Sequence, residues 1–176
     1  MKGVILTGPL GSGKTTNQRR LVADHGFWAP PTATTRAVAP GEKDMIAYAP
    51  ERFLQAVREG RLMLAARFAG IWYAWDADDV ARLRAGEGRA VVNVRPYTAI
   101  MLAALLVDLV PVWLDVPDVV LAKRRQERGD QRDTDAEYSA ARLTQDADDR
   151  AYVDVFRIRI PSDDDACSRI LRLLES

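Results

Sequence analysis

An α/β fold built on a parallel sheet is what this sequence predicts, and three observations carry the prediction. Short continuous apolar runs recur at Gly3–Thr7, 90–94 and 110–116, each bounded by turn or polar residues, as strands covered on both faces are. Each run is followed by a stretch with helical character, at Lys14–His25, 98–106 and Asp118–Arg128. That alternation is what the crossovers of a parallel sheet require, with helices on both faces and hence three layers. Between about 30 and 75 prolines, threonines and paired apolar runs break the rhythm, which marks an inserted subdomain.

Taken in order, the first helix closes at Gly26, a glycine placed as a C-terminal cap. His25, the single histidine, falls in the last turn, where the helix dipole favours it, so its place is structural. From 30 to 41, Pro30, Pro31, Pro40 and Gly41 alternate with Thr32, Thr34 and Thr35, a loop with a short strand. A helix over 50–60 starts at Pro50 and gathers Phe53, Leu54 and Val57 on one face. Two apolar stretches on either side of Gly70 predict a hairpin over 61–75. Asp76 caps a helix that reaches about Ala85 and is stopped by Gly86 and Gly88. Beyond Arg128 the charged run 129–135 is expected as a loop. A helix over 136–150, a strand over 153–160 and a helix over 163–174 complete the expected elements.

The length of 176 residues suits one domain. Twenty-five basic and 25 acidic residues cancel, which argues against the one-sided positive charge of a nucleic-acid-binding surface. One cysteine, Cys167, permits no internal disulfide, and its place in the last helix assigns it to the interior rather than to nucleophilic chemistry. No apolar run approaches a membrane span, and the chain opens straight into a strand, so a cytoplasmic protein without membrane contact is expected.

One motif is sharp. Gly8-Pro9-Leu10-Gly11-Ser12-Gly13-Lys14-Thr15 fits G-x-x-x-x-G-K-[ST] at every defined position, between an apolar strand and a helix. Residues 8–16, Thr16 included, are therefore expected to form a P-loop that binds ATP. A polyphosphate needs several donors within a small concavity. The glycines let consecutive amides turn inward, and the helix aims its N-terminus at the anion. Lys14 is expected on the β- and γ-phosphates as a catalytic cation, and the Thr15 hydroxyl on Mg²⁺. An ordinary glycine-rich turn would have no use for Lys-Thr at the helix start.

With that loop placed, the chain resembles the guanylate-kinase-like branch of the nucleoside monophosphate kinases along nearly its whole length. Thr32-Ala33-Thr34-Thr35-Arg36, then Pro40-Gly41-Glu42 and Tyr48, is similar to that family's Ser-His-Thr-Thr-Arg, Pro-Gly-Glu and Tyr segment. Glu51-Arg52-Phe53 through Glu59-Gly60, Gly70-Ile71-Trp72-Tyr73, Arg124 through Arg128-Gly129, and Arg142-Leu143 follow in the family's order. The resemblance implies a P-loop core (1–29, 76–128 and 143–176), an acceptor-binding subdomain (30–75) and a lid (129–142). It implies ATP with Mg²⁺ as donor and a small phosphorylated acceptor. Arg36, Tyr48 and Tyr73 would surround the acceptor phosphate with Thr32 and Thr35 near them. Arg128 and Arg142 would reach the transferring group. Core aromatics remain the alternative for the two tyrosines, and solvated helix residues for the two lid arginines.

The departures cluster where the acceptor base would be read. The family's carboxylate in the strand after the acceptor helix is Leu64 here. Its Asp-x-Asp is Asn93-Val94-Arg95, its second arginine is Ala39, and its Gly-Thr is Ala74-Trp75. Guanine presents N–H donors that a leucine and an arginine leave unpaired, which disfavours GMP. Asn93 and Arg95 are expected on the acceptor side, and Trp72 and Trp75 suggest a flat or apolar surface. Arg95 points either to a nucleoside monophosphate kinase with changed base preference or to a relative, a ribose 1,5-bisphosphate phosphokinase, whose second phosphate would give it a partner. A surface ion pair is the third alternative. The donor-side Asn-Asp appears as Pro161-Ser162-Asp163, and Asp115 is the nearest substitute for the missing second-motif aspartate. A guanylate-kinase-like interaction module is disfavoured by the intact Lys14 and Thr15, and a GTP switch by the lack of Asn-Lys-x-Asp.

Overall fold

The computed structural model describes residues 3–68, 70–128, 140, 144 and 147–175, with 125–128 by backbone alone. It divides into two compact units, one made of 1–28 with 88–176 and the other of 29–87, so helix 77–85 belongs with the second.

The first unit is built on four parallel strands, β1 (Gly3–Thr7), β6 (Ala90–Asn93), β7 (Leu109–Asp115) and β8 (Arg159–Pro161), in the order β6-β1-β7-β8. Val4, Ile5 and Leu6 of the central strand are fully buried, as are Val91, Val112 and Leu114 beside them. Burial on both faces is why these runs are continuously apolar rather than alternating. Helix α1 (Lys14–His25) packs along β6 and against α6 (Ala166–Glu175), and α4 (Pro96–Leu105) lies along β1 and β7. Helix α5 (Asp118–Arg128) follows β7.

The first helix begins and ends as expected. Its cap Gly26 stands at φ 68°, and its amide donates to the Leu21 carbonyl. The fourth helix starts two residues earlier than the sequence suggested, because Pro96 at its first position has its φ already set for a helix. The expected strand over 153–160 is corrected to Arg159–Pro161, preceded by a 3₁₀ turn at Val153–Val155. Phe156 is buried with its ring 5.6 Å from that of Trp113, while Val155 is exposed. Anchoring by one aromatic, not a two-faced pleat, therefore sets this segment's path. The last helix starts at Ala166 rather than 163, since the Asp163 carboxylate accepts from the Asp165 amide and holds a turn there.

The second unit carries a mixed sheet in the order β3-β2-β5-β4, from β2 (Thr32–Thr34), β3 (Met45–Ala47), β4 (Leu62–Phe68) and β5 (Ile71–Asp76). Strands β2 and β3 run parallel, and β5 is antiparallel to both β2 and β4. Helix α2 (Pro50–Arg58) packs on β4 with Phe53 and Ala56 inward, making a core with Ala33, Leu62 and Ala74. Helix α3 (Ala77–Ala85) is capped by Asp76, whose carboxylate accepts from the Asp78 amide, and it ends on Gly86 at φ 64°. The hairpin register slips between Met63 and Ala66, and there Leu64 takes φ 55°, alone among the described non-glycine residues in having positive φ. Among the described residues, no helix is long and apolar enough to cross a membrane.

Candidate active site

The sharp motif lies between β1 and α1. Gly8, Gly11 and Gly13 have φ of 136°, 87° and 83°, values that L side chains rarely adopt. A Cβ on Gly8 would also stand 2.8 Å from the Leu114 carbonyl oxygen. Gly13 is the N-cap of α1 and has no side chain to cap it. The first-turn amides of that helix thus rise from a glycine nest, a geometry suited to an anion.

The loop's carbonyls are held from several directions. Lys14 Nζ donates to the carbonyls of Gly8 at 2.7 Å and Pro9 at 2.9 Å, and lies 3.5 Å from Ser12 Oγ. The Ser12 amide closes the turn onto the Pro9 carbonyl at 3.1 Å. Arg124, on α5, donates to Gly11 O at 3.3 Å and to Ser162 O at 3.1 Å, and Ser162 Oγ donates to Ser12 O at 2.6 Å. Asn17 Nδ2 donates to Gly13 O at 3.0 Å, while Asn17 Oδ1 lies 3.2 Å from Cys167 Sγ. Burial pushes the Cys167 thiol above the usual range. The sequence assigned this cysteine to the interior, and it stands there as a support one residue removed from the loop.

Beside the loop lies a cavity of about 320 Å³ lined by Gly11, Gly13, Thr16, Arg124, Ser162 and Asp163 among others. Asp163 is held below the ordinary carboxylate range, first by its bond to Arg169 at 2.6 Å.

Of the residues expected at the acceptor, Asn93 and Arg95 are in the first unit and have partners there. Asn93 Nδ2 donates to Thr15 Oγ1 at 3.2 Å, which sets Asn93 against the hydroxyl expected to meet the metal. Arg95 is 2.5 Å from Asp149, a buried carboxylate. Asp115 pairs with Arg159 at 3.0 Å.

In the second unit, Arg36 forms a two-pronged pair with Glu42, at 2.9 and 3.0 Å, and donates to the Ala37 carbonyl at 2.7 Å. Its side chain is largely buried, and Glu42 also accepts from the Ala39 amide. Thr35 Oγ1 accepts from the Trp72 amide at 2.9 Å and Thr32 Oγ1 from the Trp75 indole at 3.2 Å, so both hydroxyl oxygens tie β2 or its end to β5. Tyr48 packs edge-on against Phe53, ring centroids 6.1 Å apart, at the margin of the core. Tyr73 is half-buried opposite Thr34 in the sheet. Arg142 lies outside the described residues, as does the Arg128 side chain.

Sequence reasoning missed Arg124, Ser162, Asn17 and Glu42 as site residues. Glu42 and Arg124 stand in segments that carry the family resemblance and Ser162 at its donor-side position, but nothing local says what they touch. Ser162 reaches Ser12 across 150 positions.

The AAA domain family model matches residues 4–145. Guanylate kinase of Schizosaccharomyces pombe is 30% identical over 140 residues, 76% of this chain and 69% of that one. Guanylate kinase of Trichormus variabilis is 30% identical over 169 residues, 93% of this chain and 83% of its own. The crystal structure of guanylate kinase from Anaplasma phagocytophilum superposes with a TM-score of 0.74 over 98% of this chain and 85% of that chain, at 19% identity, and so shares the fold. Cradle, topology and relatives agree along the chain, and the protein belongs to the guanylate kinase family of ATP-dependent P-loop phosphotransferases.

Proposed function

We propose that this protein transfers the γ-phosphoryl group of ATP to the phosphate of a small acceptor, a nucleoside monophosphate whose base is read in a non-standard way. The observation that carries the reading is the complete cradle: positive-φ glycines, an uncapped helix start, and Lys14 and Thr15 at its mouth. These residues suit Mg²⁺ and a polyphosphate, with main-chain amides and an ammonium for the anion and a hydroxyl oxygen for the cation. Bound there, Mg²⁺ would neutralise charge on the phosphate oxygens during transfer.

The chain's own groups do the rest. Lys14 exchanges two neutral carbonyl acceptors for phosphate oxygens, a stronger charge-assisted contact. Arg36 is assigned to the acceptor phosphate, with its guanidinium plane already oriented by Glu42. Arg128 and Arg142 are assigned to the transferring group, as the family resemblance implies. An acceptor phosphate is already an anion at neutral pH, so the reaction needs neither a covalent intermediate nor a general base.

The nucleotide reading is favoured over a sugar bisphosphate because Arg95, the residue that invited a second phosphate, has Asp149 as a partner. The Leu64 that stands where the relatives' pattern has a carboxylate argues against GMP itself. A coupled assay of ADP release across nucleoside monophosphates, modified nucleotides and sugar bisphosphates tests the proposal. Release that depends on one nucleotide class and is lost in Lys14→Ala is expected. ATP hydrolysis indifferent to every acceptor would sink it.

A further inference from the structure

We propose that Ser162, supported by Arg124, is a positioning residue that sets the phosphate cradle by holding its carbonyls outward, rather than a reader of the donor base; this rests on the donor-site reading above. Ser162 lines the cavity beside the loop, and it stands in the stretch that the family resemblance puts on the donor-base side. Yet its hydroxyl is committed: Oγ donates to the Ser12 carbonyl at 2.6 Å. Its amide donates to the Asp115 carbonyl at 2.9 Å, and its own carbonyl accepts from Arg124 at 3.1 Å. Its polar groups thus tie it to three segments: the end of β7, helix α5 and the loop.

The consequence follows from peptide geometry. In a trans peptide the C=O and the following N–H point in opposite directions. Holding Ser12 O on the Ser162 side therefore turns the Gly13 amide the other way. Asn17 does the same to the Gly13 carbonyl, while Arg124 holds the Gly11 carbonyl at 3.3 Å, whose following amide, that of Ser12, closes the turn onto Pro9. Gly13 leaves little room for error, since a Cβ there would meet Ser162 Oγ at 3.0 Å. A nest binds anions only while successive amides converge, so a carbonyl free to swing inward would present a partial negative charge to the phosphate.

The roles of positioner and base reader separate with a ligand that has no base. Isothermal calorimetry of ADP and of inorganic pyrophosphate, with Mg²⁺, on wild-type and Ser162→Ala protein makes the comparison. The expected result is that both ligands weaken by the same factor, about five- to tenfold as for one lost neutral hydrogen bond. Ser162→Thr, which keeps the hydroxyl, restores both. Loss of ADP affinity with pyrophosphate unchanged would show a base reader and overturn the proposal, as would no change for either. Ser162→Cys, similar in volume but a weaker donor, carries the same comparison should Ser162→Ala fail to fold. Wild-type protein that binds neither ligand overturns the donor-site reading itself, an outcome distinct from the other two.

Discussion

Lys14 rests on the carbonyl oxygens of Gly8 and Pro9, neutral acceptors that a phosphate outcompetes, so removing it deletes charge without opening a core. Lys14→Ala should lower turnover by at least about 100- to 1,000-fold, the cost typical of losing one group that meets developing charge. Its melting temperature should stay close to wild type, as differential scanning fluorimetry would show. Arg36 differs, because its partner Glu42 is a carboxylate that it already neutralises. Arg36→Ala should raise the acceptor KM by roughly two orders of magnitude, as for two lost charge-assisted bonds, and leave the ATP KM nearly unchanged. Acceptor kinetics untouched by that change would remove Arg36 from the site. Cys167 is buried, and its thiol is pushed up by that burial, so its thiolate is scarce and shielded at neutral pH. The folded protein should react with a disulfide reagent far more slowly than the same protein in denaturant.

At the scale of elements, helix ends offer the cleanest test of local physics. A Cβ at Gly26 would meet nothing within 4 Å, so Gly26→Ala measures the left-handed cap alone. It should cost about 1 kcal/mol in urea denaturation without altering kinetic constants. The sequence placed this helix at its observed bounds because the glycine loop opens it and Gly26 closes it. It predicted the last strand badly because alternating charge over 153–160 mimicked a pleat, whereas the burial of Phe156 against Trp113 bends the chain before pairing begins. Leu64 is the opposite case, a residue with no local reason to take positive φ that does so at a register slip. The bulge belongs to the pairing of β4 with β5, and a single strand carries no sign of it.

At the scale of the molecule, the two units have separate cores, one around Ile5, Leu6 and Val112 and the other around Phe53. Phe53→Ala removes the ring on which Tyr48 and Trp72 both pack, and should destabilise the second unit by about 3–5 kcal/mol. Hydrogen exchange should then quicken in β2 and β5 while β1 and β7 keep their protection. Equal loosening of both sheets would mean that the units unfold as one.

Sequence alone determined the parallel core and the glycine cradle, since each rests on contiguous residues: a buried run, a glycine spacing. It also pointed, through Leu64 and the Asn93-Val94-Arg95 stretch, to the places where this chain departs from the family pattern it resembles. Only tertiary structure decided what those residues touch. Arg95 met Asp149 and Asn93 met Thr15, while Ser162 reached Ser12 across 150 positions. The physical reason is range. Backbone propensity and apolar period act over a few residues and can be read locally, but a hydrogen bond between side chains depends on where the whole sheet carries them.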